Sequence, residues 1–297
     1  MILVTGSSGF VGTHLISELI KRKYEICCLL RPSAGHKFVE YLKKNNVKIA
    51  FGELTDYTSL DKALNKVKIS KVVHLAGIIK SGSKRAYELS NVKSTLNLAK
   101  ICKNKKAKKI VFISSDVVAE KELTYYGESK YKAELIIKKS RVPYSILRPT
   151  VIYGKGDNKF IMELARRIRA FPVVPVVGNG EYIFQPVFID DIIRLIVKCM
   201  EIKNNGTYIV CSDEALTLNN IIDEISRALN KKVYKLHIPL FLLKPVVQIY
   251  ERISPNPSIT SQQLDYFPKR VKIDNSSAKK ELNFEFTSFK DGIIKSV

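Results

Sequence analysis

Over its first 150 residues the chain alternates two hydrophobic periods, and that alternation limits the fold more than any other feature. Short apolar runs read as buried strands at Ile2–Thr5, Ile26–Leu30, Val47–Phe51, Val72–Leu75, Ile110–Ser114 and Tyr144–Leu147. Between them, apolar residues recur at helical spacing. Phe10–Arg22 places Val11, Leu15 and Leu19 on one stripe, and Tyr57–Val67, Ala86–Lys103 and Tyr125–Ser140 follow the same rule. Strands that alternate with helices build βαβ units, so the sheet is parallel and covered on both faces. The expected fold class is α/β, with six strands in a doubly wound sheet.

After Pro149 the alternation weakens. Turn signals crowd Gly154-Lys155-Gly156-Asp157 and Gly178-Asn179-Gly180. Helical patterns run over 158–170, 190–201 and 218–229, the last behind a capping Thr217. Asp190-Asp191 caps or begins its helix. The stretch 254–260 is Pro-rich and reads as a loop near a site. The apolar segment 240–250 reads either as a lid or greasy groove, or as a plain core helix that Pro245 kinks. No internal repeat appears. The expected division is a nucleotide-binding domain at 1–154, joined by 182–211, with a smaller substrate-binding region formed by 155–181 and 212–297. That region is expected over the carboxyl edge of the sheet.

Composition excludes several classes. The 297 residues are 45% hydrophobic and 26% charged, which fits a globular chain with an ample core. Five cysteines, an odd number, with no C-x-x-C and no Cys/His cluster, argue against a disulfide framework and against a metal site. They point to a reducing compartment. No signal peptide and no apolar run near 18 residues is visible, so a cytoplasmic location is expected. The net charge of +22 comes from 50 Lys+Arg against 28 Asp+Glu, and 38 of the 50 are lysine.

The segment VTGSSGFVG puts Gly6, Gly9 and Gly12 between the first strand and the first helix. Gly6 permits the tight turn, Gly9 the approach of backbone to a pyrophosphate, and Gly12 close helix–sheet packing. The helix N-terminus then offers unpaired N–H groups and partial positive charge to phosphates. This makes the fold Rossmann-type and the ligand a dinucleotide. The second strand ends at Arg31, where an acidic residue would hold the ribose hydroxyls of NAD. An arginine there accommodates a 2′-phosphate, which favours NADP over NAD.

Tyr126 and Lys130, four residues apart, share a helix face. A phenol with a pKa of about 10 is a poor base at neutral pH, and bringing it to about 7 takes roughly 4 kcal/mol. The Lys130 ammonium, with a positive nicotinamide ring, supplies an interaction of that kind in a desolvated cleft. Tyr126 then exchanges the proton while the cofactor exchanges the hydride. Ser115 ends the preceding strand, where its hydroxyl can hold the substrate oxygen.

Taken together, these segments resemble an extended or atypical short-chain dehydrogenase/reductase of the NAD-dependent epimerase/dehydratase type, over essentially the whole chain. TGSSGFVG resembles the nucleotide loop of that family, GELTD (52–56) its adenine-side motif and HLAG (74–77) the strand beneath the cofactor. NVKSTLNLAK (91–100) resembles the next helix, VFISSD (111–116) the serine strand and YGESK (126–130) the catalytic helix. ILRPTVIYGKGD (146–157), FIDDI (188–192) and KKELNFEFTSFKDGI (279–293) resemble later landmarks. The resemblance implies Ser115, Tyr126 and Lys130 as the catalytic set. It implies cofactor contacts from Gly6, Ser8, Gly9, Phe10 and Val11 at the pyrophosphate, and from Glu53 and Leu54 near adenine. Leu75, Ala76 and Gly77 would lie along the cofactor, with Pro149 and Ile152 flanking the carboxamide. It also implies a homodimer through the helices at 86–103 and 125–140.

Some positions depart from that pattern. Glu53 stands where the family usually has aspartate. Asp116-Val117 replaces the Asp-Glu pair of sugar-nucleotide dehydratases, which leaves Asp116 as a local hydrogen-bond acceptor. Phe184-Gln185-Pro186 stands where many nucleotide-sugar enzymes carry an arginine for the substrate phosphate. His74, on an apolar strand, reads as a packed core residue. The expected function is NAD(P)-dependent oxidoreduction or epimerisation at a carbinol or carbonyl carbon of a small molecule. The alternative is a non-catalytic NADPH-binding subunit like the accessory subunit of complex I. No nucleic-acid module accompanies the charge. Lys43-Lys44, the 103–109 run and Lys138-Lys139 all precede strands, so they gather at the amino edge of the sheet. That edge is a solvated surface or a peripheral contact for an anionic membrane or an acidic protein.

Overall fold

The computed structural model describes residues 1–120, 122–254 and 272–297; most of the Pro-rich stretch at 254–260 lies outside them. The strands are β1 (Ile2–Thr5), β2 (Ile26–Leu30), β3 (Lys48–Phe51), β4 (Lys71–His74), β5 (Lys109–Ile113), β6 (Tyr144–Pro149), β7 (Ile152–Tyr153), β8 (Val173–Val177), β9 (Ile183–Phe184), β10 (Val187–Phe188), β11 (Gly206–Val210), β12 (Leu216–Thr217) and β13 (Tyr234–Ile238). The α-helices up to residue 254 are α1 (Phe10–Lys21), α2 (His36–Lys44), α3 (Tyr57–Leu64), α4 (Lys84–Tyr87), α5 (Ser94–Asn104), α6 (Tyr125–Lys139), α7 (Phe160–Ala170), α8 (Ile189–Glu201), α9 (Leu218–Ala228) and α10 (Leu240–Ile253). A π-helical turn at Glu88–Lys93 joins α4 to α5.

The chain divides into two compact units. One comprises Met1–Thr150, Ile189–Val210 and Ser277–Phe284; the other comprises Val151–Phe188, Cys211–Ser276 and Glu285–Val297. The first unit holds a parallel sheet in the order β11-β6-β5-β4-β1-β2-β3, the α/β doubly wound arrangement. Its strands β1 and β2 are buried along their whole length because helices cover both faces. Leu3, Cys27, Val72, Ile110, Phe112 and Ile146 form one side of the sheet, packed with Leu60 and Leu64 of α3, Leu98 and Ile101 of α5, and Ile137 of α6. Leu15 and Leu19 of α1 and Ile192, Leu195 and Ile196 of α8 are buried too, and α8 lies on β5 and β6.

The sheet has seven strands where the sequence periodicity indicates six. The seventh, β11, pairs with β6 at one edge, and only alternate residues of Gly206–Val210 are buried. An edge strand that opens with glycine carries little of the apolar signal that marks the other six. Helix α2 is also absent from the periodic reading, because Leu42 is its single buried residue.

The lysine-rich helix ends fall where the βαβ reading places them. Lys21, Lys43, Lys44, Lys103, Lys138 and Lys139 occupy last turns, beside the exposed carbonyls that favour positive charge. The chain leaves four of these helices through non-glycine residues in the left-handed region: Lys23 (φ 59°), Asn46 (φ 56°), Lys106 (φ 51°) and Arg141 (φ 63°). All five cysteines are free and buried, with Cys27 and Cys28 adjacent in β2.

In the second unit β8 and β13 pair in parallel, β7 with β10 in parallel, and β9 with β12 antiparallel. Helix α9 buries Leu218, Ile221, Ile222 and Ile225, and Thr217 closes a capping box with Asn220. Tyr153 is fully buried between Phe188 and Phe289, with ring centroids 5.7 and 5.1 Å away. Helix α10 is no core helix: Val247 is its one buried residue, and Pro245 sits inside it. A left-handed conformation costs an L-residue roughly 1–2 kcal/mol, against the backbone entropy glycine loses on folding. Lys106→Gly is therefore expected to stabilise the fold by about 0.5 kcal/mol, read as a higher urea midpoint with an unchanged slope.

Candidate active site

The carboxyl ends of β1 to β6 and the first turns of α1 and α6 present the residues singled out from sequence, all but Ile152 within the first unit. The glycine loop is built by close packing. Gly6 has φ +70°, and a Cβ there would lie 2.7 Å from the Ala76 amide nitrogen. At Gly12 a Cβ would lie 2.2 Å from the Gly6 carbonyl oxygen, so the first turn of α1 sits directly on the loop. Gly9 differs: its Cβ would approach only the Gly6 oxygen, at 3.3 Å, and the residue is exposed at the helix N-cap. No acidic residue occupies the first turn of α1. The loop thus offers open backbone and a positive helix end to an anion, which fits a dinucleotide pyrophosphate. Ser8 is exposed, and Phe10 and Val11 are partly buried in the opening turn.

Arg31, just past β2, is exposed. Glu53 and Leu54 follow β3 and are partly buried. The Glu53 amide donates to Ser59 Oγ (3.0 Å), and Asn97 Nδ2 donates to the Leu54 carbonyl (2.8 Å). Leu75 and Ala76 are partly buried and Gly77 is exposed after β4, with the Ala76 amide on Thr5 Oγ1 (3.3 Å). Pro149 is buried at the end of β6; Ile152 belongs to the second unit, partly buried in β7. His74 spans Thr5 Oγ1 (2.7 Å) and Thr95 Oγ1 (3.0 Å) and stacks on Phe112. Burial, with Lys130 nearby, pushes its pKa down to about 3, so it is a neutral core crosspiece.

Ser115, Tyr126 and Lys130 converge. Thr124 caps α6 by accepting from the Gly127 amide (3.2 Å), which sets the first helical turn under Tyr126. Lys130 lies one turn further and is buried. Its Nζ donates to the Ile113 carbonyl (2.6 Å) and sits 4.4 Å from the centre of the Phe112 ring. Burial draws its pKa from 10.5 down to about 7, with Glu134 opposing. Glu134 is itself held by Arg148 through two contacts of 2.9 and 2.7 Å.

The electrostatics of Tyr126 differ from the sequence expectation. Its pKa is raised from 10.0 to about 12, by burial first and then by Asp116 and Tyr87, while the Ser115 hydroxyl opposes the rise. Lys130 is not among the groups that shift it. Asp116 accepts from Ser115 Oγ (3.3 Å), which agrees with its reading as a local acceptor.

Asn91 is a feature the sequence reading passed over. It is buried in the π-helical turn, where an extra residue re-aims the side chain. Its Oδ1 accepts from the Ile78 amide (2.8 Å), and its Nδ2 donates to the Ile78 carbonyl (3.0 Å) and to Ser129 Oγ (2.9 Å). Ser129 Oγ in turn donates to the Tyr126 carbonyl (2.7 Å). One amide therefore ties the loop after β4 to the helix that bears Tyr126. A buried polar residue inside an apolar helical stripe is the signal that could have marked it.

Comparison with known proteins decides the family. The NAD dependent epimerase/dehydratase family model matches residues 2–211. The chain belongs to that family. It is similar to UDP-glucose 4-epimerase of Vibrio cholerae, with 25% identity over 96% of this chain and 90% of that protein. It is also similar to the decarboxylating sterol-4-alpha-carboxylate 3-dehydrogenase of Saccharomyces cerevisiae, with 25% identity over 79% and 74%. A solved structure of the Bordetella bronchiseptica enzyme WbmG in complex with NAD and UDP has the same fold. Its TM-score is 0.79 at 19% identity, covering 99% of this chain and 91% of that one. Family membership makes this an NAD-dependent oxidoreductase or epimerase in class. These relatives are enzymes and lend no support to a non-catalytic subunit.

The buried ammonium fixes the sign of one linkage. The folded-state pKa of Lys130 lies below its unfolded value, so the cost of burying the charge is complete below pH 7 and fades toward pH 10.5. Lys130→Met is expected to stabilise the fold at neutral pH. The stability difference between variant and parent should shrink as pH rises from 7 to 10.5, followed by urea melts at each pH.

Proposed function

We propose that the protein transfers a hydride between a nicotinamide cofactor and a carbinol or carbonyl carbon of a small molecule. The observation that carries this reading is the convergence of Ser115, Tyr126 and Lys130 beside a glycine loop shaped for a pyrophosphate. When bound, the cofactor supplies the hydride or accepts it, and its oxidised ring is positive. Gly6, Ser8, Gly9, Phe10 and Val11 hold the phosphates, and Leu75, Ala76 and Gly77 line the path beyond. Glu53 and Leu54 take the adenine side, and Pro149 and Ile152 the carboxamide. Tyr126 moves the proton at its phenolic oxygen. Ser115 holds the substrate oxygen through its hydroxyl. Lys130 holds the ribose and keeps positive charge near the phenol. In this reading the first unit binds the cofactor and the second supplies the substrate side, and two copies pair through α5 and α6.

The direction favoured is reduction. A phenol held at about 12 is protonated at neutral pH, and so is ready to donate to an alkoxide oxygen as it forms. NADP is the preferred cofactor on the strength of Arg31, an exposed cation just past β2. A substrate without a nucleotide diphosphate is favoured by Gln185. Its amide is engaged within the second unit by the carbonyls of Ser212 (3.0 Å) and Ile273 (3.1 Å), and it accepts from the Ile273 amide at 2.5 Å. The residue standing where a phosphate-binding arginine is usual is therefore a backbone brace. A nucleotide sugar is the second reading, supported by the likeness to UDP-glucose 4-epimerase over nearly the full chain.

Tyr126→Phe is expected to lower kcat by about 10²–10⁴-fold while cofactor binding stays within twofold, measured by turnover on a carbonyl panel and by NADPH fluorescence. Unchanged turnover would remove the assigned role. Arg31→Glu is expected to invert the ratio of NADPH to NADH affinity and leave the melting temperature unchanged, checked by titration with both cofactors.

A further inference from the structure

The second unit carries an apolar surface that nothing in the cofactor chemistry uses. On the β8–β13 pair the parallel register sets Val173 beside Tyr234 and Pro175 beside Leu236, on the same side of the ribbon. Val174 and Val176 are buried on the other side, while Tyr234 is 76% exposed and Leu236 55%. Pro239 then leads into α10. That helix turns Leu243 and Val247 inward and exposes a second stripe, Leu242, Val246, Ile249 and Ile253, at spacings of four, three and four residues. Ile253 is 76% exposed and Phe241 73%. A helix in water buries one such stripe and leaves the other polar, whereas α10 is apolar on both. Lys244, Gln248 and Arg252 form a separate polar row along it.

Cations outnumber carboxylates along the segments that build this surface, although α10 carries Glu251 and Lys235 of β13 pairs with Asp223. There is no carboxylate from Leu164 to Gly180 or from Ile225 to Tyr250, the segments that carry β8, β13 and most of α10. The same segments hold Arg169, Lys231 and Lys232, all exposed. A second copy apposed through this same face would bring its exposed Arg169, Lys231 and Lys232 against their like. An anionic lipid surface answers both features: acyl chains for the apolar stripe and headgroups for the cations. At 14 residues α10 is about 21 Å long, too short to cross a hydrocarbon core of roughly 30 Å, so it suits lying in the interface. No helix among the described residues is long and apolar enough to span a membrane.

We propose that the second unit docks on anionic membranes, with the Leu242–Val246–Ile249–Ile253 stripe of α10 seated among the lipid chains. The chain contains no tryptophan, so Ile249→Trp creates a single reporter on the stripe. With vesicles of phosphatidylcholine and phosphatidylglycerol, its emission should shift to the blue and be quenched by lipids brominated in the acyl chain. Pure phosphatidylcholine should give a much weaker response. Emission already blue without vesicles means that the chain itself or a second copy covers the stripe, and overturns the proposal; so does emission that vesicles leave unchanged. In the parent chain, the pair Val246→Glu with Ile253→Glu should weaken vesicle co-sedimentation at least about tenfold, with melting temperature and NADPH binding retained. Equal co-sedimentation would assign the attraction to surface lysines alone and remove α10 from it.

Discussion

An ammonium group buried against a backbone carbonyl and an aromatic face is the costliest feature of the first unit, and its neighbours are arranged around that cost. Lys130 reaches no carboxylate within bonding distance; Ile113 and Phe112 hold it instead. Glu134, the acid that favours its charge, is engaged by Arg148 through two contacts and does not close on the lysine. His74 is forced neutral by burial and by the same lysine, and it finds two threonine hydroxyls that tolerate a neutral ring. A lysine closed into a tight ion pair would be more stable and less free to act on another group. The arrangement trades stability for a cation that stays available beside the phenol.

The two edges of the sheet divide the electrostatic labour of this unit. At the carboxyl edge two exposed glycines, Gly9 and Gly77, one helix N-terminus and a few buried groups set the chemistry. At the amino edge lysines cluster on helix ends, where they complement carbonyl dipoles. Several continue into left-handed turns, which puts more cations where glycine would be the easier choice. Much of the +22 net charge is explained by this placement without any polyanionic partner. In the second unit cations also occupy helix last turns, Arg167 and Arg169 in α7 and Arg227 in α9, and Arg169 lies in the segment that carries the apolar surface as well.

What could be read from sequence follows how local each signal is. Six strands, the glycine loop and the Tyr126–Lys130 spacing depend on residues within about ten positions of one another, and the structure has each of those elements in place. The edge strand β11 and helix α2 were invisible because each buries too little to imprint a period. Helix α10 was half legible: its apolar content is plain, but whether an apolar helix is buried depends on what packs against it, and that is tertiary information. The roles of Asn91 and Gln185 were hidden for a related reason. Their partners lie 13 and 88 residues away, and local sequence does not name a distant backbone partner.

The same distinction bears on catalysis. The spacing of Tyr126 and Lys130 correctly puts both on one helix face, yet it says nothing of where the ammonium points. In the structure burial outweighs every other influence on the phenol, and Asp116 and Tyr87 reinforce it. A tyrosine in that condition is a proton donor before it is a base. To serve as a base it needs positive charge near its ring, which in the proposed reaction Lys130 and an oxidised nicotinamide would bring. The protonation state of Tyr126 would then be coupled to the redox state of the cofactor. Reduction starts from an acid already in place, while oxidation must first lower the phenol's pKa. That asymmetry rests on desolvation of one side chain, and it is the ground on which reduction is proposed.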